Sequence, residues 1–78
     1  MADIDFADPV TLRLPGTGPR MVATAFEALE CLERDWPDWV RGRRWRNAVA
    51  TGKDAIDGWR SSMEARRSFV KAAMRAGI

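Results

Sequence analysis

Residues 9–27 read PVTLRLPGTGPRMVATAFE, and the hydropathy pattern changes period within them. From Pro9 to Leu14 apolar and polar residues alternate. Val10, Leu12 and Leu14 share one face and Thr11 and Arg13 the other, as in a half-buried strand. Pro15-Gly16-Thr17-Gly18-Pro19 is a turn by composition. Residues 21–23 return as a second, shorter strand, which gives a β-hairpin over 8–23 with a five-residue connection. Thr24-Ala25-Phe26-Glu27 then has the capping-box pattern: the Thr hydroxyl bonds the amide three residues on, and the Glu reaches back. The chain therefore turns from strand to helix at Thr24. A two-stranded hairpin is marginal in water by itself, so it must lie on helices or pair with another chain.

Working outward, the spacing predicts three helices. The first covers 24–36, with Ala25, Ala28, Leu29, Leu32 and Trp36 on one face and Cys31 at its side. Trp36-Pro37 ends it, because proline disfavours helical geometry in the residue before it. Residues 38–42 form a linker. The second helix covers 43–58, with Trp45, Ala48, Val49, Gly52, Ala55 and Ile56 on its apolar face and Gly58 as its stop. Gly52 costs about 1 kcal/mol against alanine, and its place on the apolar face predicts a close helix approach. Ser61-Ser62-Met63-Glu64 repeats the capping-box pattern and opens a third helix over 61–76, stopped by Gly77. Ala65, Phe69, Ala72, Ala73 and Ala76 form one stripe of that helix; Met63, Val70 and Met74 form another. Residues 1–7 are expected as a frayed lead-in, with Ile4 and Phe6 able to touch the core. The expected fold class is α+β: an N-terminal β-hairpin packed against three α-helices, in a single domain spanning 1–78.

These residues also carry a resemblance. Pro9-Val10 leads to Glu27-Ala28-Leu29 and Leu32, followed by Trp36-Pro37, Gly42, Trp45 and Ala48. Ala55 and Gly58 come next, and the chain closes on Ala65-Arg66, Phe69-Val70, Ala72-Ala73 and Ala76-Gly77-Ile78. From Phe6 to Ile78 the chain resembles the domain of unknown function 982 family, short bacterial proteins of about this length. The Trp-Pro pair and the closing run are the most specific parts. The resemblance implies a compact α+β domain and no established activity. The family often carries a cysteine near the middle of the second helix; this chain has none there.

The composition of the 78 residues excludes several mechanisms. There is no histidine and one cysteine, so His-based acid–base work, Ser-His-Asp triads, Cys-His dyads and Cys/His zinc sites are removed. An internal disulfide is impossible. No cofactor is expected, and the chain does not read as an enzyme. With 46% apolar and 31% charged residues, it has the composition of a small soluble globular protein. The acidic start, Met1-Ala2-Asp3-Ile4-Asp5, is unlike the basic segment of a signal peptide. No apolar stretch approaches a membrane span; a cytoplasmic location with a reduced thiol is expected. A core this thin usually needs a disulfide, a metal or a partner subunit, and only the partner remains.

The formal net charge of +2 conceals an asymmetry. Residues 1–40 hold eight acids and three bases, net −5; residues 41–78 hold ten bases and three acids, net +7. Eleven of the thirteen bases are arginine, suited to bidentate contacts with carboxylate or phosphate. Such halves either attract each other, within or between chains, or present a basic face to nucleic acid. Arg41, Arg43, Arg44 and Arg46 surround Trp45 and form the sharpest local feature. One reading is a phosphate-binding patch with a stacking aromatic, extended by Arg66, Arg67 and Lys71; the other is a solvated helix start with Trp45 facing the core. Glu27, Glu30, Glu33 and Asp35 read as capping and solvent-facing acids rather than metal ligands, and Cys31 as a packed, inert thiol. The Met63/Val70/Met74 stripe either packs on the hairpin or docks a partner. The leading expectation is a non-enzymatic protein-interaction or regulatory accessory module acting as a homodimer. Nucleic-acid binding through residues 41–46 is the alternative.

Overall fold

The computed structural model describes residues 4–78. Strands β1 (Asp5–Leu14) and β2 (Gly18–Thr24) pair antiparallel, Val10 against Val22 and Leu14 against Gly18. Helix α1 (Ala25–Glu30) continues into a π-wound turn over Cys31–Asp35, and a 3-10 turn follows over Asp38–Val40. Helices α2 (Arg43–Ile56) and α3 (Ser62–Ala76) complete the chain. The result is the expected α+β arrangement, an N-terminal hairpin followed by three helices. The sheet rests on α1 and α3, while α2 packs chiefly on α1 and α3 rather than on the strands.

Both strands are longer than their sequence pattern suggests. Gly18 and Pro19 pair with Leu14 and Arg13, so the hairpin connection is three residues, 15–17, rather than five. At the other end, the frayed lead-in over 1–7 is corrected: β1 begins at Asp5, opposite Thr24. Residues 1–3 of that lead-in lie outside the described residues. From Val10 to Asp5 the chain takes five steps on β1 against two on β2, so a bulge separates the two paired segments. The bulge contains Pro9, which has no N–H for the ladder and is tolerated at such interruptions. Phe6, also within it, is buried, and beyond it Ala25 donates its N–H to the Ile4 carbonyl at 2.8 Å. Arg66 of α3 donates to the Asp8 carbonyl inside the bulge at 2.7 Å, using an acceptor the ladder leaves over.

Four helix ends follow their sequence signals, although at Thr24 only the hydroxyl half of the expected capping box forms and Glu27 does not reach back. The Thr24 hydroxyl accepts the Glu27 N–H at 3.1 Å. Ser61 and Glu64 form a complete capping box, each side chain accepting the other's backbone N–H. After α2, Trp59 donates to the Asp54 carbonyl at 2.8 Å and Gly58 to the Ala55 carbonyl at 3.2 Å. After α3, Ile78 and Gly77 make the same pair of bonds to Ala73 and Met74. These are Schellman ends, and Gly58 and Gly77 take the left-handed backbone they require, at φ 86° and 75°. Gly52 has no such need. A Cβ there would stand 4.0 Å from Leu29 Cδ1, an ordinary contact, so the helices do not approach as closely as its position predicts.

The core is built on Phe69 of α3. Its ring lies 6.5 Å from that of Phe6 and 5.7 Å from that of Trp36, tilted to both. Leu12, Leu14, Val22, Ala25, Ala28, Leu32, Ala55 and Ala65 belong to the same buried cluster. Cys31 is fully buried rather than lateral. In the wider π turn the chain rotates less per residue, so Cys31, Leu32 and Trp36 all reach the interior. The Trp36 indole N–H has no hydrogen-bond partner among the described residues.

Candidate functional site

The basic segment at 41–46 does not act as one unit. The Arg41 guanidinium donates to the Trp36 carbonyl at 3.0 and 3.2 Å and to the Glu33 carbonyl at 3.4 Å. It also pairs with Asp38 at 3.4 Å and lies over the Trp45 ring, 5.1 Å from its centroid. Trp45 in turn donates its indole N–H to the Leu32 carbonyl at 2.8 Å. The end of the first helix leaves carbonyls without intrahelical donors, and Arg41 and Trp45 supply them. Of the two readings of Trp45, the core-facing one fits: the ring is partly buried against the core, one face carries Arg41 and its N–H is used.

Arg43 and Arg44 are placed differently. With Trp39, Val40, Gly42 and Arg75 they line a groove of about 520 Å³. Arg46 does not line it. Arg75 and Trp39 were not singled out in the sequence. The five residues between α2 and α3 make the two helices an antiparallel pair, which brings the last turn of α3 beside the first turn of α2. That connection was the available signal for Arg75. Trp39 stands on the 3-10 turn and is 80% exposed.

Two further grooves have opposite charge. Phe26, Glu27, Leu29, Glu30, Glu33 and Arg34 line one of about 320 Å³ on α1 and its π turn. Met63, Arg66, Arg67, Val70 and Lys71 line another of about 410 Å³ on α3. The Met63/Val70/Met74 stripe is not covered by the hairpin: Met63 is 66% and Met74 76% exposed, with Val70 half-buried. Met74 stands outside the α3 groove.

Few ion pairs join the acidic and basic halves. Arg20 of β2 takes both Glu30 and Asp35, and Arg60 takes Asp54 and Glu64. Lys53 to Glu33, at 4.0 Å, and the local Arg41–Asp38 pair cross between the halves. Arg43, Arg44, Arg46, Arg67, Lys71 and Arg75 make no side-chain hydrogen bond or ion pair among the described residues.

Chemistry by the single thiol is suppressed. Burial pushes the Cys31 pKa up to about 11; the Arg20 charge opposes that, and Asp35 and Glu30 add to it. At neutral pH it is a protonated thiol inside the core. The described residues hold no group of three or more His, Cys, Asp or Glu that could bind a metal ion. No helix among them is long and apolar enough to cross a membrane.

Comparison with known proteins adds the family. No curated protein and no solved structure matches the chain. A family model described as protein of unknown function (DUF982) matches residues 8–78, almost the full length and in line with the resemblance of the Trp-Pro pair and the closing run. The chain belongs to that family.

Proposed function

We propose that the protein is a non-enzymatic interaction module of the cytoplasm, a regulatory accessory protein that acts as a homodimer. The observation that carries this reading is the pair of oppositely charged grooves. On α1, Phe26 and Leu29 are flanked by Glu27, Glu30 and Glu33; on α3, Met63 and Val70 are flanked by Arg66, Arg67 and Lys71. Each groove joins exposed apolar surface to a predominant charge, acidic on α1 where Arg34 is outnumbered by three glutamates and basic on α3, and such patches mark interaction sites. In a twofold pair, the α3 groove of each copy meets the α1 groove of the other, so the complementarity is satisfied twice. The unspent charge of the basic half supports a partner outside the chain. The buried, protonated Cys31 and the absence of histidine from the sequence support a role without catalysis.

Sedimentation equilibrium over a concentration series tests this. The expected result is a monomer–dimer equilibrium that weakens with added salt. A well-folded monomer that persists to millimolar concentration would overturn it.

The second reading, nucleic-acid binding through Arg41, Arg43, Arg44 and Arg46, keeps three unpaired arginines as support. It loses Arg41 and the Trp45 face to the helix end. It expects retention on DNA or RNA that falls steeply with salt; no retention at low ionic strength ends it.

A further inference from the structure

We infer that the groove between the start of α2 and the end of α3 binds a small phosphorylated ligand carrying a planar ring, of the mononucleotide class. The inference stands apart from the dimer, because none of the groove's residues lines the two grooves invoked there.

Three guanidinium groups from two helices, Arg43, Arg44 and Arg75, line one cavity, and no acid among the described residues lines it. The fold shows how it treats arginines with structural work: Arg20, Arg41, Arg60 and Arg66 each hold an acceptor within hydrogen-bond distance. The three groove arginines hold none among the described residues. Gathering like charges without a counter-charge is unfavourable, and a bound dianion reverses the sign of that term. A phosphate monoester carries roughly −1.5 to −2 charges at neutral pH and three acceptor oxygens, and the planar arginine fork matches it bidentately. A single carboxylate offers half that charge.

The remaining wall points to a ring. Trp39 and Val40 line the same groove, and Trp39 is 80% exposed without an aromatic neighbour among the described residues. An indole at the rim of a cationic groove offers a stacking surface for a planar ring held by its phosphate. The volume, about 520 Å³, falls in the small-molecule range of roughly 300–1,000 Å³. The α1 groove is acidic apart from Arg34, and the α3 groove has no aromatic side chain, so neither offers this combination.

Titration calorimetry of the full chain with AMP, inorganic phosphate and a short single-stranded oligonucleotide tests the inference. AMP should bind saturably, one per chain and more tightly than phosphate. Arg44→Gln and Arg75→Gln should each weaken AMP about tenfold or more. Trp39→Ala should bring AMP down to the affinity of phosphate. Arg13→Gln, on β1 and outside all three grooves, should leave it unchanged. All four residues are exposed, and circular dichroism verifies that each variant is folded. Absence of AMP binding, an unchanged affinity in Arg75→Gln, or an equal loss in Arg13→Gln would overturn the inference. Binding of the oligonucleotide alone would also overturn it, in favour of a polyanion surface.

Discussion

Phe69 joins the three parts of the molecule, because its ring touches Phe6 in the β1 bulge and Trp36 at the end of the first helix. Truncation of a buried Phe costs about 3–5 kcal/mol. The whole stability expected of a domain this size is about 4–12 kcal/mol. Phe69→Ala should therefore shift the urea midpoint far down or leave the chain unfolded at room temperature. Cys31 is the other residue with a distinct signature. Its folded pKa of about 11 lies above its ordinary value of 9.0, so the core favours the neutral thiol. The associated stability is fully present below pH 9 and is lost as the pH rises toward 11. Urea melts across this window should show that decline in the native chain and a smaller one in Cys31→Ala. Thiol labelling at neutral pH should be slow when folded and fast in denaturant.

At the scale of elements, Gly52→Ala should stabilise α2 by about 1 kcal/mol, because the added methyl meets Leu29 at ordinary contact distance. A thermal melt checks it; a fall in midpoint would mean the helices have no room for the methyl. Arg41→Ala should cost about 1–2 kcal/mol, because it removes the donors to the Trp36 and Glu33 carbonyls. Arg46→Ala, at an exposed position, should lie within about 0.5 kcal/mol of the native chain. The contrast between these two arginines shows what was legible in the sequence. Caps and stops at Thr24, Ser61, Gly58 and Gly77 are local chemistry and could be read from a few neighbouring residues. Arg41 could not, because its acceptors belong to the preceding helix and depend on how that helix ends. The π turn was illegible for the same reason: apolar spacing does not report which carbonyl an N–H reaches. Pro9 resembled the start of a strand, although pairing resumes beyond it at Asp5, opposite Thr24. Arg75 entered the groove only through the antiparallel docking of α2 and α3, whereas Trp39 reaches it from the 3-10 turn just before α2.

Over the whole molecule, the two halves of opposite charge are mostly not neutralised by each other. Arg20 and Arg60 satisfy acids within their own halves, and the arginines of the α2–α3 groove stay free of ion pairs among the described residues. The +2 total is thus a sum of separate surfaces, one acidic and apolar on α1 and two basic on α2 and α3. The central claim is that the acidic surface and the α3 surface meet between two copies. Sedimentation velocity on two charge-reversed chains, alone and mixed, tests it most directly. Arg67→Glu/Lys71→Glu makes both grooves acidic, and Glu30→Lys/Glu33→Lys makes both basic. Each variant should sediment as a monomer, and the equimolar mixture should sediment as a dimer, since both contacts regain opposite charge. Variants that dimerise as the native chain does, or a mixture that stays monomeric where the native chain pairs, would contradict the account.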